Sequence, residues 1–225
     1  MFYCVSVKNM RDSDAYTIAN FVPGREQMDR AAMGVFQASA WDGRTAILTG
    51  SGNNGGDGFA LACILKERGF DCTVFTVSSH LSGDSAHYAA RAKDAGVPIL
   101  PFARDALDGY SILVDCLLGT GFSGSLREDY RQAVEAINAA QAYVISVDIN
   151  SGMNGDTGEG EVVVQSDLTV TIGYVKTGLV TEKAGKHMKR LVCADIGIRL
   201  IREEGILPEK DCPAWLDRNI LHISE

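Results

Sequence analysis

Three glycine-rich segments carry the side chains that could do chemistry. They read GSGNNGGDG at 50–58, DCLLGTGFSGS at 115–125 and DINSGMNGDTG at 148–158, and each contains an Asp. Each follows a short apolar run, which reads TAILT, SILV or VISV. Glycine admits backbone conformations that other residues avoid, and it lets a ligand approach the main chain closely. The pattern predicts a ligand site built from three loops.

The first segment begins with a match to G-x-G-x-x-G, the phosphate-binding fingerprint of dinucleotide enzymes. We expect a helix to begin at about Asp57 or Phe59, where its free N–H groups and positive end favour a phosphate. A hydride-transferring enzyme of this kind also needs an acid about 20 residues further on, at the end of the second strand. Ser78 and Ser79 stand there instead. The segment therefore predicts a phosphate-binding loop and argues against an NAD-dependent oxidoreductase.

Asn54, Asp115 and Ser151 offer hard oxygen ligands on loops that should share one rim of the sheet. Such a set suits an alkali or alkaline-earth ion better than zinc or copper. The alternative is that Asn54 and Ser151 satisfy N–H groups of turns and that Asp115 caps a loop.

Asp148 ends the apolar run VISV, where partial burial can tune a carboxylate for general acid/base work. The alternative is an Asp that hydrogen-bonds the turn at Ser151 and Gly152. Lys176 follows LTVTIGYV, and it could balance Asp148, contact a phosphate or be solvated. The histidines pair with no Ser or Cys in a nucleophile motif, and we expect them to be non-catalytic: His80, His87, His187 and His222.

The elements that must position these residues alternate between short apolar strands and amphipathic helices from residue 45 onward. This pattern predicts a Rossmann-like three-layer α/β/α sandwich with a mostly parallel central sheet. Ser82 or Asp84 should cap one helix, and Ser125 with Glu128 should form a capping box at another. We expect one domain over 1–225, with N-terminal helices in 1–40 and a peripheral C-terminal tail at 200–225.

The amino-acid composition is typical of a globular domain and argues against nucleic-acid-binding and membrane-spanning proteins. The chain is 46% hydrophobic and 22% charged, as in ordinary globular domains, and its net charge is −8. That charge, without a Lys/Arg stripe, argues against nucleic acid or an anionic membrane as partner. We see no secretory signal and no apolar run of roughly 18 residues that could span a membrane. The six cysteines show no C-x-x-C, so we expect buried free thiols in a cytoplasmic protein.

The segments NNGGDG, VDCLLGTGFSG and VDINSGMNGDTG resemble, in this order, the signature loops of the NAD(P)HX epimerase family, also called the YjeF N-terminal domain family. REQMDRAAMGVFQ is similar to the N-terminal helix of that family, and the resemblance covers roughly residues 8 to 200. One position differs: Asn150 stands where the family usually has proline. Losing the proline frees φ and adds an N–H, so we expect a looser turn there.

The resemblance implies a Rossmann-like fold, one bound K⁺ per subunit and conversion of the R form of hydrated NADH or NADPH into the S form. It implies Asp148 as the catalytic acid/base and Asn54, Asp115 and Ser151 as the potassium ligands. The substrate-binding positions that it implies are Asn53, Asn54, Gly55, Gly56, Asp57, Gly119, Thr120, Gly121, Phe122, Ser123, Gly124, Ser125 and Asp148.

Many members of the family are fused to a dehydratase domain, for which this chain is too short. The resemblance therefore implies a stand-alone epimerase that is functionally coupled to a separate NAD(P)H-hydrate dehydratase. It also implies a homodimer formed through the N-terminal helices. The alternative is a non-catalytic nucleotide-binding or scaffold module of the same fold.

Overall fold

The computed structural model describes residues 2–203, 206–207 and 222–223. Its helices are α1 (Val7–Asn20), α2 (Gly24–Ala38), α3 (Asn53–Glu67), α4 (Gly83–Asp94) and α5 (Glu128–Ala139). Its strands are β1 (Phe2–Val5), β2 (Thr45–Thr49), β3 (Cys72–Thr76), β4 (Ile99–Pro101), β5 (Ile112–Cys116), β6 (Tyr143–Val147), β7 (Leu168–Ile172), β8 (Val175–Lys176), β9 (Leu191–Ala194), β10 (Ile206–Leu207) and β11 (His222–Ile223). Two short 3₁₀ helices, Thr177–Val180 and Ala184–Lys186, join β8 to β9.

The central sheet confirms the predicted Rossmann-like architecture. In the described part of the chain it has eight strands in the order β11-β9-β7-β6-β5-β2-β3-β4, and its neighbouring strands pair in parallel. From β2 the chain builds outward to β3 and β4, then returns to β5 on the other side of β2. This reversal creates a crevice beyond the carboxyl ends of β2 and β5, where doubly wound folds bind their ligands.

The central strands β2, β5 and β7 are buried on both faces, which explains their near-continuous apolar sequences. In β2, Ile47 packs into the core that contains α2 and α3, whereas Ala46 and Leu48 pack into the core that contains α5. Period-two geometry sends successive side chains to opposite faces. The helices on the two sides therefore complete the three layers and hold the strand ends in a fixed register.

The N-terminal helices form as predicted, but a second, small sheet beside them was not predicted. Pro23 caps α2, and the chain turns between α1 and α2 at this point. β1 pairs in parallel with β8 and antiparallel with β10. Of the predicted peripheral tail, β10 and β11 add short strands to the edges of the two sheets. The rest of that tail, including Cys212, lies outside the described residues.

One of the two predicted helix caps is wrong. Helix α5 begins at Glu128 with Arg127 as its N-cap, so Ser125 and Glu128 form no capping box. The residues from Ser125 to Arg127 instead line the ligand cleft described below. Ser82 is the N-cap of α4, as predicted, although its hydroxyl bonds Ser85 Oγ at 3.1 Å. Over the described ranges, no helix is both long and apolar enough to cross a membrane.

Candidate active site

A cleft of about 660 Å³ opens at the carboxyl ends of the central strands. The segments after β2 and β5 contribute to its walls, together with Asp148 after β6, Ile172 at the end of β7, and residues of α1 and α2. Its volume falls within the roughly 300–1,000 Å³ of small-molecule sites. Because β2 and β5 lie side by side where the strand order reverses, the cleft occupies the position that the fold predicts.

The NNGGDG segment is the start of α3 rather than a loop before it. The helix begins at Asn53 with Gly52 as its N-cap, earlier than the predicted start at Asp57 or Phe59, which was therefore wrong. The glycines of this segment have no positive φ and serve close packing instead. A Cβ on Gly55 would lie 2.2 Å from Gly50 O, and one on Gly58 would lie 2.8 Å from Cys116 Cβ.

Asp115 is a fully buried carboxylate inside β5 that joins three segments of the chain. Its Oδ1 accepts from the Leu117 N–H (3.2 Å) and the Ser151 hydroxyl (2.5 Å). Its Oδ2 accepts from the Ser146 hydroxyl (3.0 Å) and the Ser151 N–H (2.9 Å). Burial raises the pKa of Asp115, and these hydrogen bonds oppose the rise. The arrangement fixes the second and third glycine-rich segments to each other.

Asn54 joins the first segment to the same cluster. Its Nδ2 donates to Leu118 O at 2.9 Å, and the Leu118 N–H donates to Ser151 Oγ at the same distance. Asn54 Oδ1 is buried and has no hydrogen-bond partner among the described residues. A buried amide oxygen without a donor is costly, and a bound cation would satisfy it. The three predicted ligand residues thus converge, with one hard oxygen left free.

Asp148 occupies the strained turn that follows β6. It has a φ of 68°, the only positive value for a non-glycine residue within the described ranges, and it is 8% exposed. Its Oδ2 accepts from the Thr120 N–H at 3.1 Å, and its Oδ1 accepts from Lys176 Nζ. The carboxylate therefore faces the second glycine-rich segment and Lys176, rather than the turn at Ser151 and Gly152.

Lys176 is a buried cation, which excludes the solvated position that the sequence left open. It is 1% exposed and lies in β8. Besides Asp148, its ammonium group donates to Thr171 Oγ1 (3.1 Å) and Ile172 O (2.7 Å). These three acceptors match the three donors of a lysine. Lys176 therefore balances and orients Asp148, and its donors are already occupied.

Two further acids share the cleft with this pair. Asp14 of α1 and Asp57 of α3 both line it, and Asp14 was not predicted from the sequence. Burial, and then the charge of Asp148, raises the pKa of Asp14. Burial and the charges of Asp148 and Asp14 raise the pKa of Asp57 well above its usual value, and Lys176 opposes this. This end of the cleft therefore carries an excess of acidic groups.

The other predicted substrate-binding residues divide between the cleft and the layer behind it. Those that line the cleft are Asn53, Asn54, Asp57, Gly119, Thr120, Gly121, Phe122, Ser123, Ser125 and Asp148. Gly55 and Gly56 are buried inside α3, and Gly124 is a turn residue with a φ of 85°. Asp115 and Ser151 do not line the cleft and instead support its floor.

Nucleophilic chemistry by Cys or His has no support in this cleft. Burial raises the pKa of the Cys116 thiol well above its usual value, and the five cysteines in the described ranges are buried and free, as predicted for them. His80, His87 and His187 do not line the cleft, and the side chain of His222 lies outside the described residues. The chemistry available here is that of carboxylates, one lysine, two arginines (Arg11 and Arg127), the Tyr130 hydroxyl and oxygen ligands.

Asn150, which stands where the family usually has proline, is held in its turn by side-chain hydrogen bonds. Its side chain is fully buried, and its Nδ2 lies within hydrogen-bond distance of Val164 O (2.9 Å), Ser166 Oγ (3.0 Å) and His187 O (3.1 Å). Its Oδ1 accepts from the Thr169 hydroxyl at 2.6 Å. The asparagine thus anchors the turn between Asp148 and Ser151 to the segment that contains Val164 and Ser166. These hydrogen bonds oppose the expected loosening, which stays a prediction.

These observations define a doubly wound α/β protein with an acidic, oxygen-lined cleft at the switch point of its sheet. Residues 25–178 match the family described as "YjeF-related protein N-terminus", and the chain belongs to this family. The family expected from the three glycine-rich segments is therefore confirmed.

Several relatives are similar over most of the chain. It is 33% identical over 199 residues to a Limosilactobacillus fermentum protein named NAD(P)H-hydrate epimerase, covering 85% of this chain and 95% of that one. It is 35% identical over 207 residues to a Rhodopirellula baltica protein of the same name, covering 87% and 85%. A Coxiella burnetii protein named Bifunctional NAD(P)H-hydrate repair enzyme Nnr is 33% identical over 220 residues, and the match covers 89% of this chain.

The chain spans less than half the length of its bifunctional relatives, 45% of the Coxiella protein and 36% of one from Archaeoglobus fulgidus. Among solved structures, the crystal structure of yeast ynu0 has a TM-score of 0.70 and 22% sequence identity, covering 78% of this chain and 82% of that one. At this identity the likeness supports the fold.

Proposed function

We propose that this protein is an NAD(P)H-hydrate epimerase, an isomerase that interconverts the R and S epimers of hydrated NADH and NADPH. The names of the relatives from Limosilactobacillus fermentum and Rhodopirellula baltica support this activity. The observation that carries the proposal is Asp148, a carboxylate held in the left-handed region at the wall of a cleft large enough for a nucleotide.

Epimerisation requires a proton to move on and off oxygen. The hydrated ring carries a hydroxyl on carbon 6, and inversion there needs either the C–O bond to break and re-form on the other face or the ring to open and close. Asp148 is the acid/base in either route, an effect typically worth about 10²- to 10⁴-fold. Its carboxylate would also stabilise a cation formed by loss of hydroxide.

The neighbours of Asp148 fix where that proton transfer occurs. Lys176 and the Thr120 N–H hold the two carboxylate oxygens, so the side chain keeps one orientation in the cleft. Gly119 leaves room for it, because a Cβ there would lie 2.8 Å from Asp148 Oδ2. Preorganised groups of this kind avoid the cost of ordering the acid during reaction.

A potassium ion fits the cluster behind the cleft. Asn54, Asp115 and Ser151 would hold it, and the support is the unpartnered Asn54 Oδ1 together with an all-oxygen set. When bound, the ion supplies positive charge that offsets the buried Asp115 carboxylate and joins three segments. The hydrogen bonds of Ser151 and Leu118 keep those segments together around it.

The dinucleotide is the substrate in this proposal, so no hydride transfer is required. We further propose a cytoplasmic homodimer whose reaction is functionally coupled to that of an NAD(P)H-hydrate dehydratase. Support for the coupling is the name of the Coxiella burnetii relative, which describes one bifunctional repair enzyme. Support for the dimer is a group of exposed apolar side chains at the end of α1, namely Tyr16, Ile18 and Phe21.

The direct test uses purified R-form hydrated NADPH and wild-type protein, with chromatographic separation of the epimers over time. We expect the R form to approach its equilibrium mixture with the S form much faster than in buffer, without a change in nicotinamide oxidation state. Binding without acceleration would reject the epimerase and favour the non-catalytic nucleotide-binding alternative. A redox change with an alcohol or aldehyde would favour an oxidoreductase.

A further inference from the structure

Gln27 is a buried amide in the cleft wall that the proposed reaction does not yet use. It lies in the first turns of α2, lines the cleft and is 4% exposed. Its Nε2 is buried and has no acceptor among the described residues. Burying an amide N–H without an acceptor is unfavourable, and a ligand bound in the cleft could supply that acceptor.

The surroundings of Gln27 suit a flat, uncharged group. Met10, Met28, Ile172 and Ile196 line the same cleft and provide apolar surface for a ring. Met28 also packs against the start of α3, since a Cβ on Gly56 would lie 2.7 Å from its Sδ and Cε. This contact brings the Gln27 segment next to Asp57, the acid that follows Gly56 in the chain.

The acidic residues at this end of the cleft disfavour a phosphate there. Asp14, Asp57 and Asp148 line it together with Arg11, and Lys176 is already saturated by its own acceptors. The Asp148 carboxylate would repel a pyrophosphate, whereas Arg127 lines the cleft at the start of α5. The nicotinamide end of the dinucleotide therefore belongs near the acids, and the phosphates belong towards the second glycine-rich segment.

We infer that Gln27 and Asp14 recognise the carboxamide of the nicotinamide ring, an inference that rests on the proposed function. Gln27 Nε2 donates to the carboxamide oxygen, and the Asp14 carboxyl accepts from the carboxamide NH₂. A site that pairs both ends of an amide rejects analogues that lack either one, because its own buried groups are then left unpaired. This pairing also fixes the ring about its glycosidic bond and so sets which edge meets Asp148.

The test measures equilibrium binding of three probes by calorimetry. NADP⁺ carries the carboxamide, its 3-acetylpyridine analogue replaces the NH₂ by a methyl group, and 2′-phospho-ADP-ribose lacks the ring. We expect Gln27→Met to weaken NADP⁺ and the acetyl analogue by about threefold to tenfold and to leave 2′-phospho-ADP-ribose unchanged. We expect Asp14→Ala to abolish the wild-type preference for NADP⁺ over the acetyl analogue.

Two controls separate recognition from folding. Gln37→Met changes an exposed glutamine on the same helix, and all three affinities should stay at the wild-type value. Because Gln27→Met removes an unpaired buried N–H, the melting temperature without ligand should equal or exceed that of wild type. A purely structural role for Gln27 predicts a lower melting temperature and equal losses for all three probes, and that result would overturn the inference.

The outcomes also distinguish this inference from the proposed function. If wild type epimerises hydrated NADPH while Gln27→Met binds every probe as wild type does, the inference fails and the function stands. If wild type binds none of the probes and does not epimerise, both fail together. Loss of affinity confined to the ring-containing probes, together with epimerisation by wild type, supports both.

Discussion

Gly119 gives the sharpest prediction about how the acid is positioned. A Cβ built on Gly119 would lie 2.8 Å from Asp148 Oδ2, whereas ordinary van der Waals contact begins at 3.4 Å. The new methyl group of Gly119→Ala would also be in contact with Asn54 Cβ and Cγ, at 3.4 and 3.5 Å, and Asn54 is fixed in the first turn of α3. The Asp148 carboxylate must therefore be the group that moves, by about 0.6 Å. That movement disturbs the hydrogen bonds from Lys176 and Thr120 to Asp148.

The expected loss follows from the size of this displacement. A misplacement of about 1 Å in an active site can cost about 10²-fold in rate, so a shift of about half that size should cost about tenfold. Overpacking of this kind typically destabilises a protein by about 1–3 kcal/mol. We expect kcat for R-form hydrated NADPH to fall about tenfold, with a melting temperature only a few degrees lower.

The assay is chromatographic separation of the epimers, with thermal unfolding recorded for the same preparations. Gly83→Ala is the matched control, because its new methyl group meets nothing within 4 Å and the residue begins α4 outside the cleft. That variant should keep wild-type activity and gain slightly in stability. Wild-type kcat in a folded Gly119→Ala variant would refute the claim that the Asp148 position matters.

Three further predictions concern the supports of the site. Replacing choline chloride by KCl at equal ionic strength should raise the melting temperature of wild type by several degrees, because a K⁺ concentration of about 100 times Kd stabilises the folded protein by about 2.7 kcal/mol. Asn54→Ala should lose most of this increase in melting temperature. An equal increase in wild type and variant would contradict the assignment of Asn54 as a potassium ligand. Because the folded pKa of Asp57 is raised, the unfolding free energy of wild type should fall as pH rises from the usual Asp value towards that raised pKa, by up to about 1.4 kcal/mol per pH unit. In urea titrations at several pH values, Asp57→Asn should reduce this pH dependence of the unfolding free energy, whereas the control Asp105→Asn, at an exposed residue, should leave it unchanged. The same pH dependence in wild type and Asp57→Asn would contradict the assignment to Asp57. Asn150→Pro should lower the unfolding free energy by at least about 2 kcal/mol in urea titrations, because it removes four hydrogen-bond contacts of a buried amide, and a neutral effect would show that they contribute little.

The central layer of the fold was predictable because its signal is local. Strands such as β2 are buried at every position and apolar at their centre, since one set of side chains packs under α3 and the alternate set packs under α5. Helices between such strands require parallel pairing, and parallel strands bring their carboxyl ends to one rim. This rule alone predicted that Asn54, Asp115 and Ser151 would meet.

The remaining elements were not predicted because they depend on long-range strand pairing or go against helix propensity. β1 pairs with β8, with Cys4 opposite Val175, and nothing in the sequence around either residue indicates that the two segments pair. Gly173 has a φ of 74° and turns the chain out of the main sheet, which is how Lys176 reaches back to Asp148. The early start of α3 was missed because glycine is a poor helix former, and tight packing against neighbouring segments overrides that tendency.

The helical contributions to the site were missed for a different reason. Asp14 and Gln27 are polar positions on amphipathic helices, where most polar residues face solvent. Only the packing of α1 and α2 beside the strand ends turns these two side chains towards the cleft. The orphaned Nε2 of Gln27 is a property of the assembled wall and has no counterpart in the sequence.

The central claim is that the Asp148 carboxylate transfers the proton that epimerises the hydrated ring. Its most direct test is the rate of R-to-S conversion of hydrated NADPH by wild type, Asp148→Asn and the exposed control Asp105→Asn, with binding measured for each. We predict that Asp148→Asn still binds the nucleotide but loses about 10²- to 10⁴-fold in rate, while Asp105→Asn matches wild type. Conversion by Asp148→Asn at the wild-type rate would contradict the account.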